Sequence, residues 1–337
     1  MMDALVCDSP GRLEMVRRPI PARGDDEVLI RVRRVGVCGT DMHIFRGTQP
    51  YLSYPRVMGH EVAGEIAEAS SGSRFKPGDP VFVMPYLSCG HCSACRKSRS
   101  NCCSNIAVLG VHRDGGLAEY LALPEKFVCN ADGITLDEAA MIEFLAIGAH
   151  AVQRARLQRR CRVLVVGAGP IGIAAALFST LRKPHVSLLD TRQDRLDFCR
   201  DVLRVRDVVR VDEHTTERLR QLSHGELFDV VFDATGNRDA MEAGFSYIGH
   251  AGSYVLLSIV KGAIAFSDPD FHRREMTLLS SRNANPSDFD HVMRAMRAGS
   301  VPSQELNTHR ARLSQVPERL PDWMDPAAGV IKAIVEC

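Results

Sequence analysis

A chain of 337 residues is comfortable for two domains and buries a large core. Lys and Arg number 42 against 41 Asp and Glu, and this near-neutral balance offers no electrostatic footprint for nucleic acid or an anionic membrane, so a small-molecule partner is expected. The start, Met1-Met2-Asp3-Ala4-Leu5, has no basic region leading into an apolar stretch, and no run approaches about 18 apolar residues, so a soluble, cytoplasmic protein is expected.

The first elements are short runs with partial alternation. Val28-Leu-Ile-Arg-Val-Arg-Arg-Val35 and Val62-Ala-Gly-Glu-Ile-Ala-Glu68 read as strands, separated by punctuation such as Lys76-Pro-Gly-Asp79. Cys38-Gly-Thr40-Asp41-Met-His43 and Gly59-His60-Glu61 lie in this β-rich half. Cys38, His60 and a carboxylate would make a three-ligand zinc site with an open fourth position, the arrangement of a catalytic metal.

Four cysteines follow in the lobe 86–104, as Cys89-Gly-His-Cys92-Ser-Ala-Cys95 and Cys103. Thiolates at this spacing converge on one tetrahedral Zn²⁺ and close its coordination, which makes the site structural. A disulfide framework is the weaker reading, because 11 cysteines scattered through a chain with ample core suit a reducing compartment. Spacing alone leaves Cys102 as an alternative to Cys103. Arg96, Lys97 and Arg99 decorate the lobe as they would in a zinc ribbon on nucleic acid, a reading that the overall charge balance disfavours.

From about residue 160 the texture changes. Val163-Leu-Val-Val166, Val186-Ser-Leu-Leu189, Val208-Val-Arg-Val211, Val230-Val-Phe232 and Tyr254-Val-Leu-Leu257 are continuous apolar runs separated by helical stretches, which predicts a parallel sheet covered on both faces. Gly167-Ala-Gly169-Pro170-Ile171-Gly172 follows the first run and opens a helix over 171–181. Gly167 allows the tight turn, Gly169 lets backbone approach a pyrophosphate, and Gly172 allows close packing of helix on strand. The helix N-terminus supplies amide donors to the phosphates. Asp190 ends the next strand, where a carboxylate accepts from the adenosine ribose hydroxyls and repels a 2′-phosphate; Arg192 and Arg195 close behind it would offset that repulsion. NAD is therefore expected over NADP, with Gly167, Gly169, Pro170, Ile171, Gly172, Asp190 and Arg195 as candidate cofactor residues. A helix over 287–298 and a final strand over 330–335 complete the pattern, and periodicity does not say to which domain they belong.

Taken together and in order, Cys38-Gly-Thr-Asp, Gly59-His-Glu, the Cys89 to Cys103 lobe, Asp114-Gly-Gly-Leu-Ala-Glu-Tyr120, a Glu143 segment and Gly167 to Gly172 resemble the zinc-dependent medium-chain dehydrogenases of the alcohol, sorbitol and threonine type. The resemblance covers essentially the whole chain. It implies α/β plus β architecture: a discontinuous GroES-like β-barrel catalytic domain, 1–148 and 284–337, and a Rossmann NAD-binding domain with a doubly wound parallel sheet, 149–283, with the active site in the cleft between them. It also implies two Zn²⁺ per chain, one catalytic and one structural, and a homo-oligomer, dimer or tetramer. Carried over by position, Cys38 and His60 match catalytic zinc ligands, while Glu61 and Glu143 match carboxylates that ligate directly in some members and not in others. Asp41 matches a residue that orients the histidine, and Thr40 and His43 match a proton relay. The chain departs from the pattern at Phe144, where members commonly have Pro, which frees the backbone beside Glu143.

Three segments most resemble the sugar-acid branch, the L-galactonate and L-gulonate 5-dehydrogenase type. These are Tyr54-Pro-Arg-Val-Met-Gly-His60, Gly110-Val-His-Arg-Asp-Gly-Gly116, and Phe266-Ser-Asp-Pro-Asp-Phe-His-Arg-Arg274 followed by Ser281-Arg-Asn283. The resemblance implies oxidation of a secondary alcohol on a hexonate, with a neutral polyol or threonine as the alternative substrate and a non-catalytic NAD-binding relative as the lesser alternative. A hexonate carboxylate needs a cation, for which Arg56 and Arg113 are the candidates.

Overall fold

The apolar runs in the second half of the chain form a six-stranded sheet, every pair of it parallel. In spatial order the strands are Asp207–Arg210, His185–Asp190, Arg162–Val166, Phe228–Asp233, Ile248–Leu256 and Thr277–Ser280. Val163, Leu164 and Val165 are wholly buried at its centre, which is why they show no alternation. The strand order reverses between Arg162–Val166 and its neighbour Phe228–Asp233, and the crevice beyond the carboxyl ends of strands at such a reversal is where open α/β sheets take ligands. The Gly167–Gly172 turn leaves the sheet at that point.

The computed structural model describes residues 1–182 and 184–337, and the chain divides into two units, Met1–Glu143 with Asn285–Cys337, and Phe144–Ala284. The first unit is built on a seven-stranded sheet. Its strands run Val128–Asn130, Pro80–Val83, Glu61–Glu68, Glu27–Val37, Lys332–Glu336 and Asn307–Arg312, with Tyr120–Pro124 also pairing to Glu27–Val37. A smaller sheet joins Arg12–Arg18, Met2–Ser9 and Arg56–Val57. The last strand settles the allegiance that periodicity left open: Ala333 lies opposite Val37 and Val335 opposite Val35, so the chain's end is hydrogen-bonded into the N-terminal sheet. The preceding helix, Pro286–Arg297, belongs to the same unit and sends Phe289 against Phe82 and Tyr86.

Two edge strands gave no readable pattern. Asn307-Thr-His-Arg-Ala-Arg312 is almost wholly polar, and Thr277–Ser280 is largely exposed. Edge strands are selected for polarity, which erases the alternation that marks inner ones. Among the described residues, no helix is long and apolar enough to cross a membrane.

A charged lattice holds the late strands to the early ones. Asp137, in the helix Leu136–Ala139, accepts from Arg34 Nε at 2.7 Å and from the Arg310 guanidinium, which also reaches Glu336 at 2.7 Å. Partial burial works against the Asp137 charge, but Arg310 and Arg34 hold its carboxyl below the ordinary value. A carboxyl with a depressed folded pKa adds stability above its unfolded pKa and loses it as pH falls through the folded value. Asp137→Asn is therefore expected to lower stability by about 1 kcal/mol at neutral pH, the scale for a half-exposed network. Denaturant midpoints should show the gap closing as the pH is taken down toward about 3, near and below the ordinary Asp pKa.

Candidate metal and cofactor sites

Cys38 stands in extended conformation at the mouth of the helix Gly39–Phe45, and His60 immediately precedes the strand Glu61–Glu68. Asp41, buried in the first turn of that helix, ties the two segments together. One of its oxygens accepts from the Cys38 amide at 2.9 Å, and the other from the Gly59 amide at 3.1 Å. The expectation that Asp41 orients the histidine is thus refined: the contacts are to the backbone carrying both candidate ligands. Asp41 reaches the imidazole through its charge.

The Cys38 sulfur, a His60 ring nitrogen and a Glu61 oxygen all lie within 4.8 Å of one another. His60 Nδ1 is buried without a hydrogen-bond partner among the described residues, and so is Glu143 Oε2. Burial works to lower the imidazole pKa, but the charges of Cys38, Asp41 and Glu143 raise it well above its ordinary value. A half-buried thiol crowded against a buried imidazole and buried carboxylates, with orphaned ligand atoms, is the chemistry of a site that takes a divalent cation. Glu143 is not one of the three whose donor atoms converge. It lies in the first turn of the helix Ile142–Ala155, 3% exposed, and Tyr86 Oη donates to its Oε1. Phe144, where proline was expected, is wholly buried in that helix.

The sequence reading missed Lys332. Its Nζ is fully buried and donates to both Glu61 oxygens, at 2.6 and 2.7 Å, and to the Val37 carbonyl at 3.2 Å. All three ammonium protons are used. Gly36 lies opposite Glu61 in the sheet, and a Cβ there would sit 1.9 Å from Glu61 Oε2, so only glycine leaves room for the carboxylate. Burial opposes the Lys332 charge, but Glu61 and Cys38 raise its pKa; burial raises the Glu61 carboxyl against the lowering pull of Lys332. A lone lysine inside Val330-Ile-Lys-Ala-Ile-Val335 was the available signal. A charge in such a run is buried only if it is paired.

Of the relay candidates, Thr40 and His43 are one turn apart on the helix Gly39–Phe45 and share a face. Thr40 is half-buried, whereas His43 is exposed, with Nδ1 2.9 Å from Thr48 Oγ1. Arg56 is spoken for by Asp114 at 3.2 Å and by Ser53, while Arg113 is exposed.

The sulfurs of Cys89, Cys92, Cys95 and Cys103 also lie within 4.8 Å of one another. Cys103 and Cys89 sulfurs are 3.5 Å apart, close to the roughly 3.8 Å edge of a tetrahedron with zinc–sulfur bonds of about 2.3 Å. Cys103 is buried in this group, and Cys102 is exposed outside it. Amides of Cys95 and Ser104 hold the Cys92 thiol down to about 5, while desolvation and the bond it shares with Cys92 push Cys95 up to about 11. Closing the lobe on a cation would therefore release protons from its thiols.

In the second unit, Gly167 has φ +94°, and a Cβ at Gly172 would lie 1.7 Å from the Gly167 carbonyl. Gly169 faces open space at the N-cap of the helix Pro170–Thr180, with Pro170 at its first position and Ile171 next. Asp190 accepts from the Ala168 amide at 2.5 Å and the Arg192 amide at 2.7 Å, fixing the strand end to the glycine turn. Arg192 is engaged by Asp194, and Arg195 is buried. The turn fits a pyrophosphate, and the carboxylate beside it fits a ribose.

Comparison with known proteins agrees with this geometry. The alcohol dehydrogenase GroES-like domain matches residues 24–133, and the zinc-binding dehydrogenase domain matches residues 170–298. The chain is 43% identical over 322 residues to L-galactonate-5-dehydrogenase of Escherichia coli K12, covering 94% of this chain and 95% of that one. It is 35% identical over 258 residues to L-threonine 3-dehydrogenase of Shewanella frigidimarina, covering 74% and 75%. Among solved structures, the alcohol dehydrogenase rspB of E. coli CFT073, complexed with NADH, superposes with a TM-score of 0.93 at 27% identity, covering 100% of this chain and 99% of that one.

Lys332→Met should leave Glu61 as an uncompensated buried charge and cost about 3–5 kcal/mol. The double variant with Glu61→Gln should recover much of that loss, as read from urea midpoints of the metal-free protein.

Proposed function

Because the chain belongs to the zinc-binding alcohol dehydrogenase family, we propose that it oxidises a secondary alcohol of a sugar acid to the ketone with NAD. The substrate on this reading is L-galactonate or L-gulonate, oxidised at C5. The observation that carries it is the convergence of Cys38, His60 and Glu61 within 4.8 Å in a chain 43% identical to an L-galactonate-5-dehydrogenase.

When bound, zinc lowers the pKa of an alcohol so that it can give hydride to the nicotinamide. Cys38 and His60 would hold the ion, on segments that Asp41 ties together through their amides. Glu61 and Glu143 supply the negative charge around it. Thr40 would receive the alcohol proton and His43, exposed on the same helix, would deliver it to water, with the nicotinamide ribose between them as in the relay of the family. Gly167, Gly169 and Gly172 shape the turn for the pyrophosphate. Asp190 receives the ribose hydroxyls, and the pairing of Arg192 with Asp194 leaves less cationic charge for a 2′-phosphate, which supports NAD over NADP. Cys89, Cys92, Cys95 and Cys103 would hold the second zinc. Eleven free cysteines suit the reducing cytoplasm, and the family resemblance supports a homo-oligomer.

Arg113 is the cation for the hexonate carboxylate on this reading, since Arg56 is committed to Asp114. The test follows NADH formation by zinc-loaded protein on L-galactonate, L-gulonate, sorbitol, galactitol and L-threonine, with NAD and NADP separately. NAD-linked turnover confined to the hexonates is expected; turnover only on polyols or threonine keeps the chemistry and discards the substrate. Arg113→Ala should raise KM for the hexonate by about 10-fold or more while sparing any neutral polyol. Equal losses on both classes would remove Arg113 from the role.

A further inference from the structure

The two carboxylates beside Cys38 and His60 are held in different ways. Both Glu61 oxygens accept from Lys332. Glu143 gives only Oε1 to a protein donor, the Tyr86 hydroxyl, and its Oε2 is buried with no partner among the described residues. A buried, unpartnered carboxylate oxygen costs several kcal/mol unless something cationic or a water meets it. Glu143 is electrostatically part of the group, for its charge acts on His60, Glu61 and Tyr86.

Tyr86 itself has little freedom. It sits in the two-residue strand Tyr86–Leu87, paired with Ala107–Val108 across the base of the cysteine lobe. Its ring packs edge-on against Phe289, centroids 6.1 Å apart. The hydroxyl is thus delivered to one place, and a hydroxyl fixed there takes one oxygen of Glu143 and leaves the other unclaimed.

We propose that Tyr86 is a positioning residue for that group: by holding Glu143 Oε1 it presents Oε2 as the carboxylate ligand atom to the ion held by Cys38 and His60, while Lys332 keeps Glu61 beside the ion. This rests on the reading of Cys38 and His60 as metal ligands. Tyr86→Phe keeps the ring on Phe289 and removes one hydroxyl, so core packing is spared.

The experiment titrates metal-free protein with Co²⁺ and follows the visible absorption, which separates a four-thiolate lobe from the Cys38 group by band position. Wild type should take two ions. Tyr86→Phe should leave the lobe unchanged, weaken Co²⁺ at the Cys38 group by about 10- to 100-fold and shift its ligand-field bands, the size expected for a partner of a ligand. In a Glu143→Gln background, Tyr86→Phe should add no further loss. Unchanged affinity and bands in Tyr86→Phe, or an equal loss with and without Glu143, would overturn the proposal, since a purely packing role predicts one or the other. Should Tyr86→Phe not fold, Glu143→Asp withdraws the carboxylate from the hydroxyl, and the same weakening is expected; wild-type affinity there overturns it. A wild type that takes one ion, at the lobe, would instead overturn the metal reading itself.

Discussion

Bringing an imidazole, two carboxylates and an ammonium out of water beside a half-buried thiol is the constraint on which the rest of the first unit depends. The carboxylates and the ammonium do not tolerate burial alone. Three potential anions, Cys38, Glu61 and Glu143, against a divalent cation leave one negative charge, and Lys332 cancels it. The fold is arranged to bring that ammonium in. The last strand must return to the N-terminal sheet so that Lys332 lies next to Val37, and Gly36 must lack a side chain so that Glu61 fits. The Asp137, Arg34, Arg310 and Glu336 lattice fastens the returning strands at the surface, while the ion pair fastens one of them within.

The metal lobe and the second unit answer simpler demands. Four sulfurs need only a short loop with amides pointed at them, which the segment from Cys89 to Cys103 supplies from its own backbone. The nucleotide turn needs a parallel sheet whose order reverses and a helix entered through glycines that leave its N-terminal amides open. Val163–Val166 followed by Gly167, Gly169 and Pro170 provides both.

How much of this was legible follows from how local each feature is. The glycine turn, the Cys lobe and the family they belong to could be read because spacing along the chain is the feature itself. Apolar runs gave the parallel strands because burial on both faces leaves a mark in composition. Cys38, His60 and Glu61 could be named as candidates, but their approach depends on the pairing of Glu27–Val37 with Glu61–Glu68, which sequence spacing does not record. Lys332 lies 271 residues from Glu61, and Tyr86 lies 57 from Glu143, so neither partnership has a local signature. The choice of Cys103 over Cys102 was closed to spacing for a related reason. Adjacent residues point to different sides of the chain, and only the fold says which side is the lobe's interior.

The central claim, that the buried group around Cys38 and His60 is a metal site separate from the cysteine lobe, is tested most directly by counting zinc per chain in gently purified protein. The account predicts two ions in the wild type, and one in Cys38→Ser with NAD-linked turnover lost and the fold retained. One ion in the wild type, or two still held by Cys38→Ser, would contradict it.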